Sequence, residues 1–413
     1  MSVFKVGSNK SSQNNFPSVR PTLDLDFANS KTLDPRITFT RASGGSYVGA
    51  DGLIKLAGVN EPRFDHDPVT GESLGLLVEE ARTNLNLNSA GTYNGLTNIT
   101  SNSFLAPDGT FTAATFQPPV NSNSGGTHEL YAVYPSVGTI SVGNTVTVYA
   151  RRNSGSAMKY LVLRLLTSSY FNFYNLETGV VTVNDGSMPG SMTDVGNGWW
   201  RCQLTNNISG GSTPLLRTFV STVLSIAPQT NGDPIYLWGV QNEAGSFPTS
   251  YIPTEGSTRT RAEDTASITG KNFSSWYRQD EGTFLGKGRQ TYTTTNQFEA
   301  LIVVGGYPNR SWGWAIIGSI NLWSVGTDSL DAGSFYTGLT PNVPFSFNVA
   351  QAQKSNQSVA VADGVIKASV TPGQILYTNA SQLSIGSNYD GHIARLTYYP
   401  VRLPDAQLQV LTR

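Results

Sequence analysis

Hydrophobic and polar residues alternate along most of this chain in short runs, and glycine, asparagine, serine and proline separate one run from the next. Residues 23–27 alternate apolar with acidic side chains, and residues 145–149 alternate threonine with apolar side chains. An alternation with a period of two buries one face of a strand and leaves the other face toward water. The pattern predicts a chain built almost entirely from short strands.

Two short segments favour helices instead. Residues 74–82 group their apolar side chains on one side of a helical projection. Residues 405–411 follow Pro404 and place Leu408 and Leu411 on one face, which is typical of a helix that begins just after a proline. We therefore predict helices at these two segments and strands elsewhere.

Changes in composition and in the pattern of apolar residues divide the chain into five parts. Residues 1–20 are polar and predict an extended N-terminal arm, either disordered or ordered only on a partner subunit. Residues 21–85 predict a small β-rich attachment module, and residues 86–254 predict a β-sandwich. Residues 255–261 are a polar linker, and residues 262–413 predict a second sandwich. The predicted fold class is all-β, with tandem β-sandwich (jelly-roll) domains after the N-terminal module.

Composition narrows the setting. Of the 413 residues, 13% are charged and 42 are glycine, and the formal net charge is −1. Such a balance gives no basis for binding nucleic acid or a membrane surface. No apolar run is long enough to cross a bilayer, and the N-terminus lacks the apolar core of a secretory signal. Scarce charged residues with abundant serine, threonine and asparagine are typical of a β protein that acts outside cells, although no export signal is visible. A protein made in the cytoplasm and released on a particle would have both properties, and we expect no membrane insertion.

One cysteine cannot form an intramolecular disulfide. Cys202 lies in an alternating segment at residues 199–204, which predicts a small buried side chain in a strand rather than a nucleophile. Trp199, Trp200 and Trp238 also lie inside predicted strands, and we expect them to pack in the core.

Candidate ligands for a metal are sparse. Residues 65–67 read Asp-His-Asp, but three adjacent side chains on one turn rarely converge on one ion. We predict a solvated turn there, with an aspartate capping the helix that follows, and no metal site. A structural calcium ion could bind the turn at Asp108, and we expect no other cofactor.

Catalytic motifs are absent from the sequence. It contains no phosphate-binding loop, nucleophile elbow, zinc-protease motif or Cys-x-x-Cys. Glu79 and Glu80 are adjacent on a predicted helix and would point apart, whereas a glycosidase needs two acids that converge on one cleft. We predict that the protein is not an enzyme and has no catalytic residues.

Several separated segments resemble known modules. Residues 25–41, 61–64 and 75–85 resemble, in order, a module that recurs in bacteriophage tail-fibre and head-fibre proteins. Residues 107–109, 196–202 and 239–253 resemble carbohydrate-binding sandwiches. Residues 281–284, 383–387 and 391–411 are similar to concanavalin A-like (laminin G-like) sandwiches. The resemblance implies a fold and a virion setting more firmly than it implies a ligand.

From this resemblance we expect a virion surface protein, most simply a tail-fibre or adhesin subunit that recognises host surface polysaccharide. Residues 1–85 would contact other virion proteins, so their deletion should prevent incorporation and leave both sandwiches folded. Fibre symmetry suggests a homotrimer. A capsid decoration or head-fibre protein with a purely structural role is the alternative, because no long shaft is visible and fold alone does not determine function.

Aromatic side chains are the candidate glycan contacts, since sugar rings bury their C–H faces on flat rings. The candidates are Trp276, Tyr307, Trp312 and Trp314, which follow the linker or surround the turn at residues 306–311. The same residues could instead serve in a core or an interface.

Overall fold

The computed structural model describes residues 16–90, 99–117, 132–134, 139–165, 171–183, 187–208, 216–221, 232–291, 299–305, 312–316, 322–325, 334–337, 339, 343–354, 357–370, 380–387 and 389–413. Tyr307, one of the candidate glycan contacts, lies outside the described residues.

The strands, in chain order, are β1 (Leu23–Asp26), β2 (Thr38–Thr40), β3 (Gly45–Val48), β4 (Ile54–Ala57), β5 (Arg63–His66), β6 (Ser73–Val78), β7 (Arg82–Asn84), β8 (Ile99–Phe104), β9 (Ala113–Phe116), β10 (Ala132–Tyr134), β11 (Asn144–Arg152), β12 (Tyr160–Leu165), β13 (Phe171–Asn175), β14 (Val180–Val183), β15 (Gly190–Asp194), β16 (Trp199–Thr205), β17 (Leu216–Ser221), β18 (Ile235–Ala244), β19 (Arg259–Arg261), β20 (Thr265–Thr269), β21 (Glu281–Gln290), β22 (Glu299–Val304), β23 (Trp312–Ile316), β24 (Leu322–Val325), β25 (Ser334–Tyr336), β26 (Phe345–Lys354), β27 (Gln357–Ala362), β28 (Val365–Val370), β29 (Gln382–Ser387) and β30 (Gly391–Tyr399). The helices are α1 (Phe27–Ser30), α2 (Gly270–Ser274) and α3 (Asp405–Leu411).

The middle of the chain forms one sandwich. Its two sheets have the strand orders β10-β17-β12-β13-β14 and β15-β16-β11-β18-β9-β8. Apolar side chains from both sheets form its core, among them Val148 from β11, Leu163 from β12 and Leu237 from β18. All of these strands come from residues 99–244, so this sandwich is built from its own segment alone.

The second sandwich combines two distant parts of the chain. One sheet has the order β28-β27-β26-β21-β30-β6-β5, with β1 also paired to β30, and the other has the order β2-β20-β29-β22-β23-β24-β25. Leu25 of β1 therefore packs in the same core as Ile385 of β29 and Leu396 of β30. These two sheets and the middle sandwich together confirm the predicted all-β, tandem-sandwich fold class.

The strand pairing differs from the expectation of a self-contained module at residues 21–85. Strands β1, β2, β5 and β6 supply edges and interior positions of the sheets of the last sandwich. The middle sandwich is thus inserted between two halves of the other one. We propose one discontinuous unit of residues 21–85 and 255–413, and deletion of residues 1–85 would remove strands that this unit needs.

The predicted helix at residues 74–82 is wrong, because this segment forms β6 and the beginning of β7. Both faces of β6 are covered: Leu76 and Val78 pack in the sandwich core, and Leu77 lines a cavity on the other side. A strand buried on both faces has a continuous apolar run, which periodicity cannot distinguish from a helix.

Other local predictions are confirmed. Helix α3 spans Asp405–Leu411 as predicted, with Leu408 buried. Cys202 is buried in the core of the middle sandwich, and burial raises the pKa of its thiol, which makes it a poor nucleophile. Trp199 and Trp238 are buried as expected. None of the described helices has the length and hydrophobicity to cross a bilayer.

Candidate functional site

A cavity of about 270 Å³ opens where the N-terminal segment meets both sandwiches. Its walls come from β3, β5 and β6, from β15 and β16, from residues 247–251, and from the adjoining ends of β21 and β30. We call it the junction cavity. Its volume is near the lower end of the range of about 300–1,000 Å³ typical of small-molecule sites.

Aromatic rings and polar groups share the cavity wall. Tyr47, Tyr149, Phe247 and Tyr251 contribute rings, and Tyr149 meets Tyr251 edge-on at 6.3 Å between ring centroids. Burial raises the pKa of Tyr149 and Tyr251, so both phenols stay protonated at neutral pH. Such a wall offers apolar faces beside hydrogen-bonding groups, which suits an amphipathic ligand.

Two histidines that are distant in sequence both line this cavity, His66 on β5 and His392 on β30. His392 Nε2 lies 2.7 Å from Asp65 Oδ2, and the backbone N–H of Val48 donates to the other oxygen of Asp65. A carboxylate accepts hydrogen bonds, so this contact places the imidazole proton on Nε2 and leaves Nδ1 as an acceptor in the neutral ring.

The hydrogen bond of His66 assigns its tautomer in the same way. Its Nδ1 lies 3.1 Å from the carbonyl oxygen of Val48, which can only accept, so the proton belongs on Nδ1 and Nε2 is the acceptor. His66 is 5% exposed and His392 is 7% exposed. Neither His66 Nε2 nor His392 Nδ1 has a hydrogen-bond partner in the described part of the chain.

The expectation of a solvated turn at residues 65–67 is therefore only partly right. Asp67 does accept from the N–H groups of Val69 and Thr70 in a turn, as an aspartate there should. However, Asp65 and His66 are buried in β5, and the element that follows is a strand rather than a capped helix.

A buried network of charges lies behind the cavity. Arg63 donates to Glu79 Oε2 at 2.6 Å and also contacts Asp264, and Arg41 donates to Asp264 at 3.0 Å. Arg261 lies 3.5 Å from Glu79. These residues come from β2, β5, β6 and β19 or from the residues that follow these strands, so the network joins the two halves of the discontinuous sandwich.

Glu79 also links the network to the middle sandwich segment. Its two carboxylate oxygens accept from the N–H and hydroxyl groups of Ser250, at 2.6 and 2.7 Å. Burial opposes its ionisation, but the Arg261 and Arg63 guanidiniums and the Ser250 hydrogen bonds lower the pKa of Glu79 below its ordinary value. Glu79 is therefore an anion held inside the protein by its partners.

The pKa of Asp390 is shifted in the opposite direction from that of Glu79. Burial, together with the nearby charges of Glu80 and Glu79, raises the pKa of Asp390 well above its ordinary value. The backbone N–H of Glu80 donates to Asp390 Oδ1 at 3.0 Å. Two carboxyl groups on the same cavity wall thus have pKa shifts of opposite sign, because the arginines and Ser250 outweigh burial at Glu79, whereas burial outweighs the charge of Arg261 at Asp390.

The predicted glycan contacts are not brought together at this cavity. Trp276 is 4% exposed and packs edge-on against Phe273 and Tyr398 in the core. Trp314 is 0% exposed, and its indole N–H donates to Gln351 at 2.9 Å. A sugar could reach neither ring without opening the sandwich. Trp312 begins β23, and a sugar contact by Trp312 or Tyr307 stays a prediction.

The carboxylate of Asp108 forms hydrogen bonds within its own turn. Asp108 Oδ1 accepts from the N–H and the hydroxyl of Thr110, at 2.9 and 2.7 Å. Calcium binding there stays a prediction. Within the described ranges, no group of three or more histidine, cysteine or acidic side chains is placed to hold a metal ion.

Local sequence patterns could not predict the junction cavity, because the residues that meet in it are far apart along the chain. Asp65 and His392 are 327 residues apart, and each sits in an ordinary strand segment. One signal was present: Asp65, His66 and Glu79 are polar side chains at positions where a half-buried strand would need partners.

No protein-family model matches the chain, and no curated protein is similar to it. Among solved structures, the CBM40 of a Ruminococcus gnavus IT-sialidase bound to alpha2,6 sialyllactose is 17% identical, with a TM-score of 0.29, over 34% of this chain and 88% of that one. A Trypanosoma rangeli sialidase is 14% identical, with a TM-score of 0.28, over 36% of this chain and 25% of that one.

The botulinum neurotoxin serotype C1 binding domain is 11% identical, with a TM-score of 0.29, over 37% of this chain and 40% of that one. Similarity this low identifies no ligand.

Proposed function

We propose that this protein binds host-surface polysaccharide as a subunit of a bacteriophage particle, in a tail fibre or a related adhesin. The observation that carries the binding role is the junction cavity, where aromatic rings adjoin two imidazole nitrogens that have no partner among the described residues. A sugar has an apolar C–H face and a rim of hydroxyl groups, so it suits such a wall. The particle setting is supported by the segments that resemble phage fibre modules.

The proposed role is binding rather than catalysis. The carboxyl groups of Asp65, Glu79 and Asp390 each accept a hydrogen bond from a backbone N–H, and Asp65 and Glu79 also face cationic or imidazole partners. A pair of uncommitted acids for glycoside cleavage is not among them. We further propose a homotrimer joined to other virion proteins, because several copies multiply weak binding at one site.

A structural role on the capsid, as a decoration or head-fibre protein, is the second candidate. The burial of Trp276 and Trp314 favours it, because two of the aromatic side chains expected to contact sugars serve the core instead. Under this alternative the junction cavity would bind no polysaccharide, and the surface of the sandwiches would contact capsid proteins.

The test is binding of the purified full-length chain to intact host cells, with host polysaccharide as competitor. Thr193 is exposed at the rim of the cavity, so Thr193→Trp should obstruct it. Thr178 is exposed on a turn that does not line the cavity, so Thr178→Trp is the matched control.

Saturable binding that the polysaccharide competes for, and that only Thr193→Trp weakens by tenfold or more, would support the proposal. Absence of binding, together with tight association with isolated capsids, would favour the structural role. Equal loss in both tryptophan variants would show that the cavity is not the site.

A further inference from the structure

We infer that the junction cavity takes the acidic sugar units of a polysaccharide, and that Arg289 binds their carboxylate. The inference rests on the proposed glycan-binding function and names its ligand class. Arg289 lines the cavity and is half-buried near the end of β21. Its guanidinium makes no hydrogen bond or close ion pair with any residue in the described ranges, although its charge acts on the carboxylate of Asp67.

Strand pairing puts Arg289 next to one of the two histidines. Arg289 on β21 and His392 on β30 are directly opposite each other in the antiparallel register. Side chains of directly opposite residues lie on the same face of a sheet, about 5 Å apart at Cβ. The guanidinium and the imidazole therefore address the same region of the cavity.

Each of the five acidic side chains of the wall accepts a hydrogen bond, Asp194 and Asp390 from the backbone N–H groups of Gly196 and Glu80. The guanidinium of Arg289 donates no hydrogen bond to any described residue. Asp65 pairs with His392, Asp67 accepts two turn N–H groups, and Glu79 is held by Arg63 and Ser250. The donors of Arg289 therefore have no hydrogen-bonded acceptor among the described residues, even with Asp67 nearby, which favours an anionic ligand. A guanidinium binds a carboxylate through two parallel hydrogen bonds, more specifically than a point charge would.

The two histidines explain why the anion should be a sugar. His392 Nδ1 and His66 Nε2 are acceptors in the neutral rings, and both atoms are buried without a partner in the described residues. A ligand that contacts them must therefore bring hydrogen-bond donors into the cavity wall. A simple carboxylate such as acetate has no such donor, but a uronic acid has several hydroxyl groups beside its carboxylate. A cavity of about 270 Å³ has room for one such unit rather than for a long oligosaccharide.

The experiment is a ligand-observed NMR titration of the full-length protein with D-glucuronate, D-glucose and acetate at constant low ionic strength. Glucuronate and glucose differ only by a carboxylate in place of a hydroxymethyl group, and acetate tests the carboxylate alone. The variants are Arg289→Gln and, as the matched control, Lys287→Gln. Lys287 is an exposed cation on the same strand that does not line the cavity. Thermal unfolding of both variants verifies that they are folded.

We expect the wild-type protein to bind glucuronate at least tenfold more tightly than glucose or acetate. Arg289→Gln should remove that preference, and Lys287→Gln should retain it. Equal affinity for glucuronate and glucose, or a preference that survives Arg289→Gln, would overturn the inference. Equal affinity for acetate would show a general anion site and would overturn the sugar assignment.

The two proposals can fail separately. If the protein binds neutral polysaccharide in the cell assay but shows no preference for glucuronate, only the acidic-sugar inference falls. If it binds neither polysaccharide nor any of the three probes, the glycan-binding function falls with it.

Discussion

Glu79 contacts residues from three parts of the chain: the N-terminal segment, the end of the middle segment and the beginning of the C-terminal segment. Its carboxylate accepts from Arg63 and from Ser250, and Arg261 lies 3.5 Å away. An acid buried in this way is stable as an anion only while its partners remain, and the partners are equally dependent on it. Its role is to hold the segments together, although it also lines the junction cavity.

Replacing Glu79 with glutamine should destabilise the protein by about 3–5 kcal/mol, because buried arginines would lose one of their counter-charges. The measurement is the free energy of unfolding from urea titration at pH 7. Glu72 is exposed, and Glu72→Gln should change this free energy by less than about 0.5 kcal/mol. Equal effects of the two substitutions would contradict the buried-network account.

The cost of Glu79→Gln should also depend on pH. The folded protein holds the pKa of Glu79 below its ordinary value, so this carboxylate contributes stability above the unfolded-state pKa of about 4.3. That contribution is lost as the pH falls through the folded-state pKa. The difference between wild type and Glu79→Gln should therefore shrink below about pH 4.

For Asp390 we expect the pH dependence of stability to have the opposite sign. Its folded-state pKa is raised, so the folded protein binds a proton that the unfolded chain has lost above a pKa of about 3.9. Stability contributed by this group therefore falls as the pH rises from about 4 toward the folded-state pKa. Asparagine at this position would carry no charge and could still accept from the N–H of Glu80.

We expect Asp390→Asn to be more stable than wild type at pH 8, by about 1 kcal/mol, and equal to it below about pH 4. Urea titrations at the two pH values measure this difference. Asp194 is exposed, and Asp194→Asn should give no such gain at pH 8. A loss of stability for Asp390→Asn at pH 8 would show that the buried carboxyl is favourable as an anion.

At the scale of elements, alternation in the sequence located strands well where one face meets water. Residues 23–26 form β1, in which Leu23 and Leu25 are buried and Asp24 is exposed. Residues 145–149 also form a strand within β11, but Thr145 and Thr147 are buried there, so the side expected to face water is covered. Helix α3 was also predictable, because Pro404 precedes it and its apolar residues share one face. In β1 and α3 the local pattern and the tertiary environment agree.

Strand β6 shows where that agreement ends. Gly75 has a φ of 94°, and a Cβ there would lie 2.3 Å from the carbonyl oxygen of Ile393. A glycine inside an apolar run can mark such a close approach of two backbones. The pairing of β6 with β30 that creates it involves residues more than 300 positions away, so no local rule could have predicted it.

The site was less predictable than the fold for the same reason. Trp314 lies in a strand segment that gave no indication of which face would be buried, and it became a core residue bonded to Gln351. The junction cavity instead depends on pairings such as Asp65 with His392, which form only when β5, β6 and β30 assemble into one sheet. Residue types alone indicated the candidates, and only topology brought them together.

At the scale of the whole molecule, the middle sandwich of residues 99–244 is inserted between the two halves of the discontinuous sandwich. Strand β7 pairs with β19, and an isolated bridge joins Asn88 to Glu255, so both crossings between the two sandwiches are adjacent. An inserted domain with neighbouring ends is a common way to extend a fold. The junction cavity lies at this crossing, which makes its shape dependent on both units.

This topology predicts the outcome of deleting residues 1–85. The remaining chain would lack β1 and β6, and β30 would lose its partners on one side. Asp264 would lose Arg41 and Arg63, and Arg261 would lose Glu79. Of these buried ion pairs only the 3.9 Å contact between Arg261 and Asp264 would remain, which weakens the charge balance of the network. We therefore expect the sandwich of residues 262–413 to lose its stable fold and residues 99–244 to keep theirs, because that sandwich takes no strand from the deleted segment.

Hydrogen exchange measured segment by segment tests this expectation, since amides in stable strands exchange slowly. In the deletion variant, β21 and β30 should exchange rapidly while β11 and β16 stay protected. Deletion of residues 1–20 is the control, because it leaves every strand from β1 to β30 in place and should preserve protection in both sandwiches. Full protection of β21 and β30 without residues 1–85 would mean that the last sandwich folds alone, so that the N-terminal segment serves attachment rather than the fold.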